Sequence, residues 1–349
     1  YCDSHLRQVY EGSTYHGRDA FEGLRIMDHL VGDRLGEIDA EIEARLDKRA
    51  HSEEKAAAAR ASKEAAGGTA TAVLPARSAV ATDVALPTAP FLGDRLVEDV
   101  PLDDVLPLVN RVALYRGQWQ FKKGKQSDAD YAAMLEDKVD PIFDRLAAQC
   151  RDEKILRPQV VYGLFPCNSD GDDLVIYDPA DADREIERFP FPRQAARKRL
   201  CISDFFRSTD SGEKDVVGLQ CVTVGQRVSE VARALFEADN YTEYLYLHGF
   251  GVEVAEALAE LWHKRMRQEL GIAADDASEV RKLFTQNYRG SRYSFGYPAC
   301  PDLSDEEKLF RLLRPERIGC TLTENWQIDP EQSTSAIIVH HPEAKYFNV

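Results

Sequence analysis

The chain has 349 residues, of which 44% are apolar, and 44 Lys and Arg against 60 Asp and Glu leave a formal net charge of −16. That length suffices for two or three domains with real cores, and the acidic balance argues against nucleic acid as a partner, because that binding needs clustered cations. No apolar window of about 18 residues predicts a membrane span, no secretory leader pattern is present, and seven cysteines without a C-x-x-C pair read as reduced thiols of a cytoplasmic protein.

Three compositional zones follow one another. The first, 1–33, opens at Tyr1 without methionine and is expected to continue a longer protein. A short strand is expected near Ser13–His16, then a helix from about Asp19, with Ala20, Leu24, Met27 and Leu30 at helical spacing. One strand and a helix cannot bury a core, so this zone reads as the last unit of an α/β domain. Asp3-Ser4-His5 reads as a solvated helix start. In the second zone, 34–86, Leu35, Ile38, Ile42 and Leu46 form a narrow helical stripe amid charge. Alanines then favour helix to about Ala66, Gly67–Gly68 stops it, and a small, Pro-dotted linker follows.

The third zone, 87–349, is the expected globular body. A helix is predicted over 128–150. VVYGLF and LVIYD flank NSDGDD as a hairpin, and a further strand lies within 214–225. Helices are predicted over 227–247 and 252–270. The second carries Val252, Ala255, Leu258, Trp262 and Met266 on one stripe, with Lys264, Arg265 and Arg267 toward its end in keeping with the helix dipole. Strands and helices alternate irregularly, which predicts an α+β fold with a largely antiparallel sheet.

Few residues suggest chemistry on their own. Asp170, Asp172 and Asp173 form an acidic turn that a hard cation could use, although Asp and Gly are also ordinary turn formers. His340 and His341, adjacent on a strand, point to opposite faces and make a poor chelating pair; one is expected buried and hydrogen-bonded, the other facing a cleft. No nucleophile elbow, phosphate loop, dinucleotide fingerprint or zinc-protease motif occurs, so any chemistry must come from something bound. The run GSRYSFGYPACPD at 290–302 is different. It stiffens Arg292 with Gly290, Gly296, Pro298 and Pro301, beside Tyr293, Phe295 and Tyr297. A guanidinium fork suits a carboxylate, and ring faces attract a sulfonium. A small zwitterion with an aromatic base would satisfy both; an arginine packed over tyrosines for structure is the other reading.

These residues carry a resemblance. PFLG at 90–93, VVYGLFPCNSDGDDLVIY at 160–177, FPFPRQ at 189–194, LCISDFF at 200–206, VAEALAELWHKRMR at 254–267, RYSFGYPACPD at 292–302, LTENW at 322–326 and HPEAKYFNV at 341–349 resemble the activation domain of the cobalamin-dependent methionine synthase family. RDAFEGL at 18–24 resembles the end of that family's Rossmann-like cobalamin-binding domain, and 34–86 falls at its interdomain linker. The resemblance implies a C-shaped body with a twisted antiparallel sheet and flanking helices. It also implies a function, the presentation of S-adenosyl-L-methionine for reductive methylation of cob(II)alamin, with electrons from a flavodoxin-like donor. A binding domain that kept the fold and lost the ligand, and a metal hydrolase built on the acidic turn, are the competing readings. Carried over by position, Arg292 grips the ligand's carboxylate, and Ser294, Gly296 and Tyr297 line its groove. Glu256 reaches its amino end, and Tyr346 and Phe347 form an aromatic pair nearby. Asn110 stands where the family has an aspartate for the amino group, so charge is missing there. Glu256, Glu260, His263 and Arg267 are expected on one polar stripe. Arg193, Arg197, Lys198 and Arg199 form a basic cluster that could receive an acidic donor.

Overall fold

The computed structural model describes residues 10, 12–16, 20–46, 75–195 and 198–349. It divides into two compact units, Tyr1–Leu74 and Pro75–Val349. In the first, α1 (Ala20–Val31) is followed by α2 (35–46). Ile38 and Ile42 of the predicted stripe are buried, whereas Met27 and Leu30 of α1 are exposed. Residues 13–16, predicted as a strand, are irregular; among the described residues no neighbouring strand offers them a ladder. Asp19, the Asp3-Ser4-His5 run and the alanine-rich helix to Ala66 lie outside the described residues.

The second unit is built on a seven-stranded sheet whose strand pairs are all antiparallel. Its strands are β1 (Gly93–Val97), β2 (Gln159–Asp170), β3 (Asp173–Asp178), β4 (Asp181–Pro190), β5 (Asp215–Thr223) and β6 (Ser291–Tyr293); β7 (Thr321–Leu322) and β8 (Ile328–Asp329) form a separate ribbon, and β9 (Ser333–Val339) returns to the main sheet. The order is β4-β3-β2-β5-β9-β6, with β1 also on β2. The first half of β2 pairs with β1 and its second half with β3, while β5 runs along its other edge. This is the mixed, open α+β architecture that the irregular alternation predicted.

Alternation along β2 separates two cores. Val160, Tyr162 and Leu164 face one side; Val161, Phe165 and Cys167 face the other. The first side is covered by α3 (Asp140–Asp152), α4 (Arg227–Glu237) and α5 (Tyr241–Glu269); the second by Phe205, Phe206, α6 (Glu306–Leu313) and Phe347. All six described cysteines are free and buried.

Three boundaries differ from the sequence reading. The helix predicted over 128–150 contains a wide π turn at Leu135–Val139, just before Pro141 in α3. Proline has no N–H to donate to the preceding turn, which loosens the ladder there. The break expected near residues 248–251 is at 238–240 instead, where Asp239 takes φ +57, and α5 runs straight through Gly249 and Gly251. These glycines are there for close packing. A Cβ on Gly249 would lie 2.7 Å from the Gln118 Cβ, and one on Gly251 would lie 3.1 Å from Gln332 and Val228. Finally, residues 75–86, read as linker, belong to the second unit and pack on its body. Arg77 donates to the Asp204 and Phe206 carbonyls at 2.6 and 2.8 Å, and Arg207 donates to the Val84 carbonyl at 3.0 Å. Composition alone does not show such backbone acceptors.

The NSDGDD turn is a hairpin, with Gly171 at φ +62 and Asp170 paired with Asp173. Arg188 binds Asp170 and Asp173 at 2.8 and 3.1 Å, and Arg193 binds Asp172 at 2.8 Å. Arginines therefore hold all three carboxylates. Among the described residues no group of three or more His, Cys, Asp or Glu could hold a metal ion, and no helix is long and apolar enough to cross a membrane.

Candidate ligand-binding site

Positions 253, 256, 257 and 260 follow one another at helical spacing, so α5 turns Glu253, Glu256, Ala257 and Glu260 toward one cavity of about 370 Å³. Facing them are Asn110 and Ala113 from a helical turn, Leu283 from the short helix Val280–Leu283, Tyr288 from the loop before β6, and Arg292 from β6. Strand alternation explains why Arg292 alone of its strand looks this way: Ser291 and Tyr293 are buried on the other face. The Tyr293 hydroxyl donates to the Lys345 carbonyl at 2.9 Å, and the Phe347 ring packs on Phe205 and Tyr293. The C-terminal segment thus braces the strand that presents the arginine.

The Arg292 guanidinium lies 3.5 Å from Glu256 and 3.7 Å from Glu260. Close charge-assisted bonds are nearer 2.7–2.9 Å, so its fork keeps capacity for another acceptor. Beneath it, Glu260 is buried, and burial raises its carboxyl pKa despite the opposing pull of Arg292 and Arg267. Arg267 is bidentate to Asp276 at 2.8 and 2.9 Å and sits 4.0 Å over the Tyr288 ring. Tyr288 also meets His263 edge-on, and full burial keeps that imidazole neutral at ordinary pH. The sequence reading placed Glu260, His263 and Arg267 on a polar stripe. In the structure all three are interior, because the segment carrying Asp276 and Tyr288 closes over them and supplies a counter-charge.

Asn110 lines the cavity, and its amide oxygen accepts from the Ala113 N–H at 3.2 Å, capping the helical turn. Glu253, which the sequence reading did not single out, is 8% exposed. Burial lifts its pKa to about 7, with Gln118 opposing the shift and Glu256 adding to it. The signal was available in the i, i+3, i+7 spacing of Glu253, Glu256 and Glu260.

The remaining carried-over residues are not on the wall of that cavity. Ser294 and Tyr297 line a second hollow of about 470 Å³ together with Glu306 and Trp326. Gly296, at φ +83, lies in a turn closed by its N–H to the Cys300 carbonyl at 3.0 Å and the Cys300 N–H to the Tyr297 carbonyl at 2.9 Å. Tyr346 is exposed, and its N–H donates to Gln286, a wall residue of the Arg292 cavity, at 3.2 Å. Phe347 is buried in the second core. Asn110, Glu256 and Arg292 thus line one cavity with Tyr346 at its margin, Ser294 and Tyr297 line the second hollow, and Phe347 is buried in the second core.

The basic cluster is corrected. Arg193 is interior, bound to Asp204 at 2.5 and 2.9 Å and to Asp172 at 2.8 Å. Arg199 donates to the Pro75 carbonyl at 3.1 Å, Lys198 is exposed, and Arg197 lies outside the described residues. The histidine pair is also more internal than expected. His340 meets Asp215 at 2.6 Å and His341 meets the Ala81 carbonyl at 3.0 Å, with both residues buried.

The family described as vitamin B12 dependent methionine synthase, activation domain, matches residues 108–349. The chain belongs to that family. It is 40% identical over 370 residues to the methionine synthase of Mycobacterium tuberculosis (strain ATCC 25618 / H37Rv) and 39% identical over 374 residues to that of Mycobacterium leprae (strain TN). All of this chain is covered in both cases, and it spans 31% of each relative's length. The crystal structure of the MetH reactivation domain bound to AdoHcy superposes with a TM-score of 0.69 at 26% identity, covering 76% of this chain and 84% of that one.

Proposed function

We propose that this activation domain binds S-adenosyl-L-methionine at the Arg292 cavity and presents its methyl group for reductive methylation of cobalamin, as part of a cobalamin-dependent methionine synthase. In the same reading, residues 1–33 are the end of a cobalamin-binding domain and the stretch after them joins it to residues 87–349. The observation that carries the proposal is Arg292, whose fork is unsaturated at 3.5 and 3.7 Å from its carboxylates and opens on a 370 Å³ cavity. That volume lies within the range of about 300–1,000 Å³ common for small-molecule sites. The AdoHcy bound by the structural neighbour supports the same ligand class.

The residues present fit such a ligand. Arg292 offers two N–H groups to its carboxylate. Glu253, Glu256 and Glu260 place negative charge where an ammonium and a sulfonium would lie. With three acids against one arginine on the wall, the site attracts a ligand bearing two positive groups more strongly than its demethylated product, which bears one. Holding the methyl donor in a fixed orientation replaces a bimolecular encounter. The corrinoid supplies the cobalt that accepts the methyl group. A flavodoxin-like donor belongs to the same proposal; with Arg193 internal, Lys198 is, among the described residues, an exposed cation it could meet near residues 193–199.

Calorimetry tests this. The chain is expected to bind S-adenosylmethionine, and Arg292→Ala to weaken binding by about 2–5 kcal/mol, as for one half of a desolvated charge pair. Equal affinity of the two proteins overturns the role of Arg292. An unchanged melting temperature at saturating ligand would instead favour a domain that kept the fold without the ligand, since binding to the native state alone must stabilise it. The uncharged Asn110 is the feature that favours that second reading.

A further inference from the structure

Two of the three carboxylates on the cavity wall already face guanidinium groups. Glu256 lies 3.5 Å from Arg292, and Glu260 lies 3.7 Å from Arg292 and 3.8 Å from Arg267. Glu253 has no such neighbour among the described residues. Among the described residues its one side-chain hydrogen bond comes from Gln118 Nε2 at 3.5 Å, a long contact. A carboxyl that is only 8% exposed and has no cation beside it is costly to keep, and this one is kept on the wall of the cavity. The groups around it sharpen the point. On its own helix stand two further acids, Glu256 and Glu260; across the cavity on β6 stands Arg292; and the facing turn contributes only the amides of Asn110 and Gln118. The Asn110 amide oxygen is committed to the Ala113 N–H.

An amino-acid ligand whose carboxylate sits on Arg292 must place its ammonium within a few ångströms. Of the carboxylates on the cavity wall, Glu253 is the one that no arginine among the described residues neutralises. We infer that Glu253 receives the ligand's ammonium group and so sets the preference for an α-amino-acid end, an assignment that rests on the proposed binding of S-adenosylmethionine at this cavity. The charge that Asn110 does not bring is supplied from α5. The raised pKa of Glu253, about 7, adds a signature. A cation favours the ionised carboxylate, so binding at neutral pH releases a proton, and affinity falls as pH drops below about 7.

The test compares S-adenosylmethionine with its analogue lacking the α-amino group, titrated calorimetrically into the whole chain between pH 6 and 8.5. The unsubstituted chain should bind the analogue about 10- to 100-fold more weakly, the range of a hydrogen bond to a charged group, and its affinity for S-adenosylmethionine should fall toward pH 6. Glu253→Gln should bind the two compounds alike and lose the pH dependence. Adding Asn110→Asp to that variant should restore the discrimination. If Glu253→Gln binds S-adenosylmethionine as tightly as the unsubstituted chain, with the same pH profile, the assignment of Glu253 is overturned while the proposed function stands. If the unsubstituted chain binds both compounds equally, Glu253 is overturned even should its variant fail to fold. If it binds neither, the underlying reading of the cavity fails as well.

Discussion

Arg193 and Arg292 each lie between two carboxylates, and in the sequence each sits in a Pro-containing loop beside aromatic residues. Their surroundings separate them. Arg193 is bonded to Asp204 at 2.5 and 2.9 Å and to Asp172 at 2.8 Å, and also donates to the Arg199 carbonyl at 2.8 Å. Arg292 stands 3.5 and 3.7 Å from its partners, beside an open cavity. One guanidinium is saturated and ties the loop at 193–204 to the β-hairpin. The other holds hydrogen-bonding capacity that the fold does not use. What distinguishes a structural arginine from a binding one here is the number of acceptors left to find, and neighbouring residue types do not reveal that number.

The contrast can be broken most forcefully at Arg193. Arg193→Ala leaves Asp204, 2% exposed, without its main partner, and should destabilise the unit by about 3–5 kcal/mol in urea denaturation, with ligand affinity of the folded protein unchanged. Burial works against the Asp204 charge, yet Arg193 and Ser78 hold its pKa below the ordinary value. A depressed carboxyl contributes stability above the unfolded value, near 4, and loses it as pH falls through the lower folded value. The substitution should therefore flatten the acid limb of the stability curve below about pH 4; an unchanged limb would mean Asp204 is held by other groups.

A second test sits behind the cavity. Gly249→Ala brings a Cβ to 2.7 Å from Gln118, the residue that touches Glu253. Alanine is the better helix former by about 1 kcal/mol, but overpacking costs about 1–3 kcal/mol, so a net loss of about 1 kcal/mol and weaker ligand binding are expected. A gain in melting temperature would show that the turn at 113–118 yields freely. The smallest effect belongs to Arg292 itself. Its ion pairs are long and partly solvated, so Arg292→Ala should change stability by less than about 1 kcal/mol while abolishing tight binding. A large loss of stability would make Arg292 a second Arg193.

The sequence carried the fold well where local rules and packing agree. The apolar runs of β2 and β3, the Asp-Gly hairpin between them and the amphipathic stripe of α5 were all legible. It misled where packing overrides local preference. Gly249 and Gly251 looked like a helix break, and only the proximity of Gln118, Gln332 and Val228 explains them. The site was legible in part. Arg292, Glu256 and Asn110 converge, although they lie far apart in the chain. Glu253 escaped notice because an acidic residue at the start of a helix is ordinary, and its burial depends on a turn more than 100 residues earlier. Glu260, His263 and Arg267 are polar and therefore expected outside; the pairing of Arg267 with Glu260 and Asp276 makes an interior position tolerable for the two charged residues, and His263 packs edge-on against Tyr288.

The strand that carries Arg292 is only three residues long and, among the described residues, pairs with β9 alone. Much of its hold comes from a segment about fifty residues later, through the Tyr293 hydroxyl on the Lys345 carbonyl and the Phe347 ring on Tyr293. Local opening of this short edge element must break its pairing with β9 and release that tail together. The amides of residues 291–293 should then exchange with solvent in step with residues 344–347, so that the last turn of the polypeptide acts as the spring against which the ligand's grip is set.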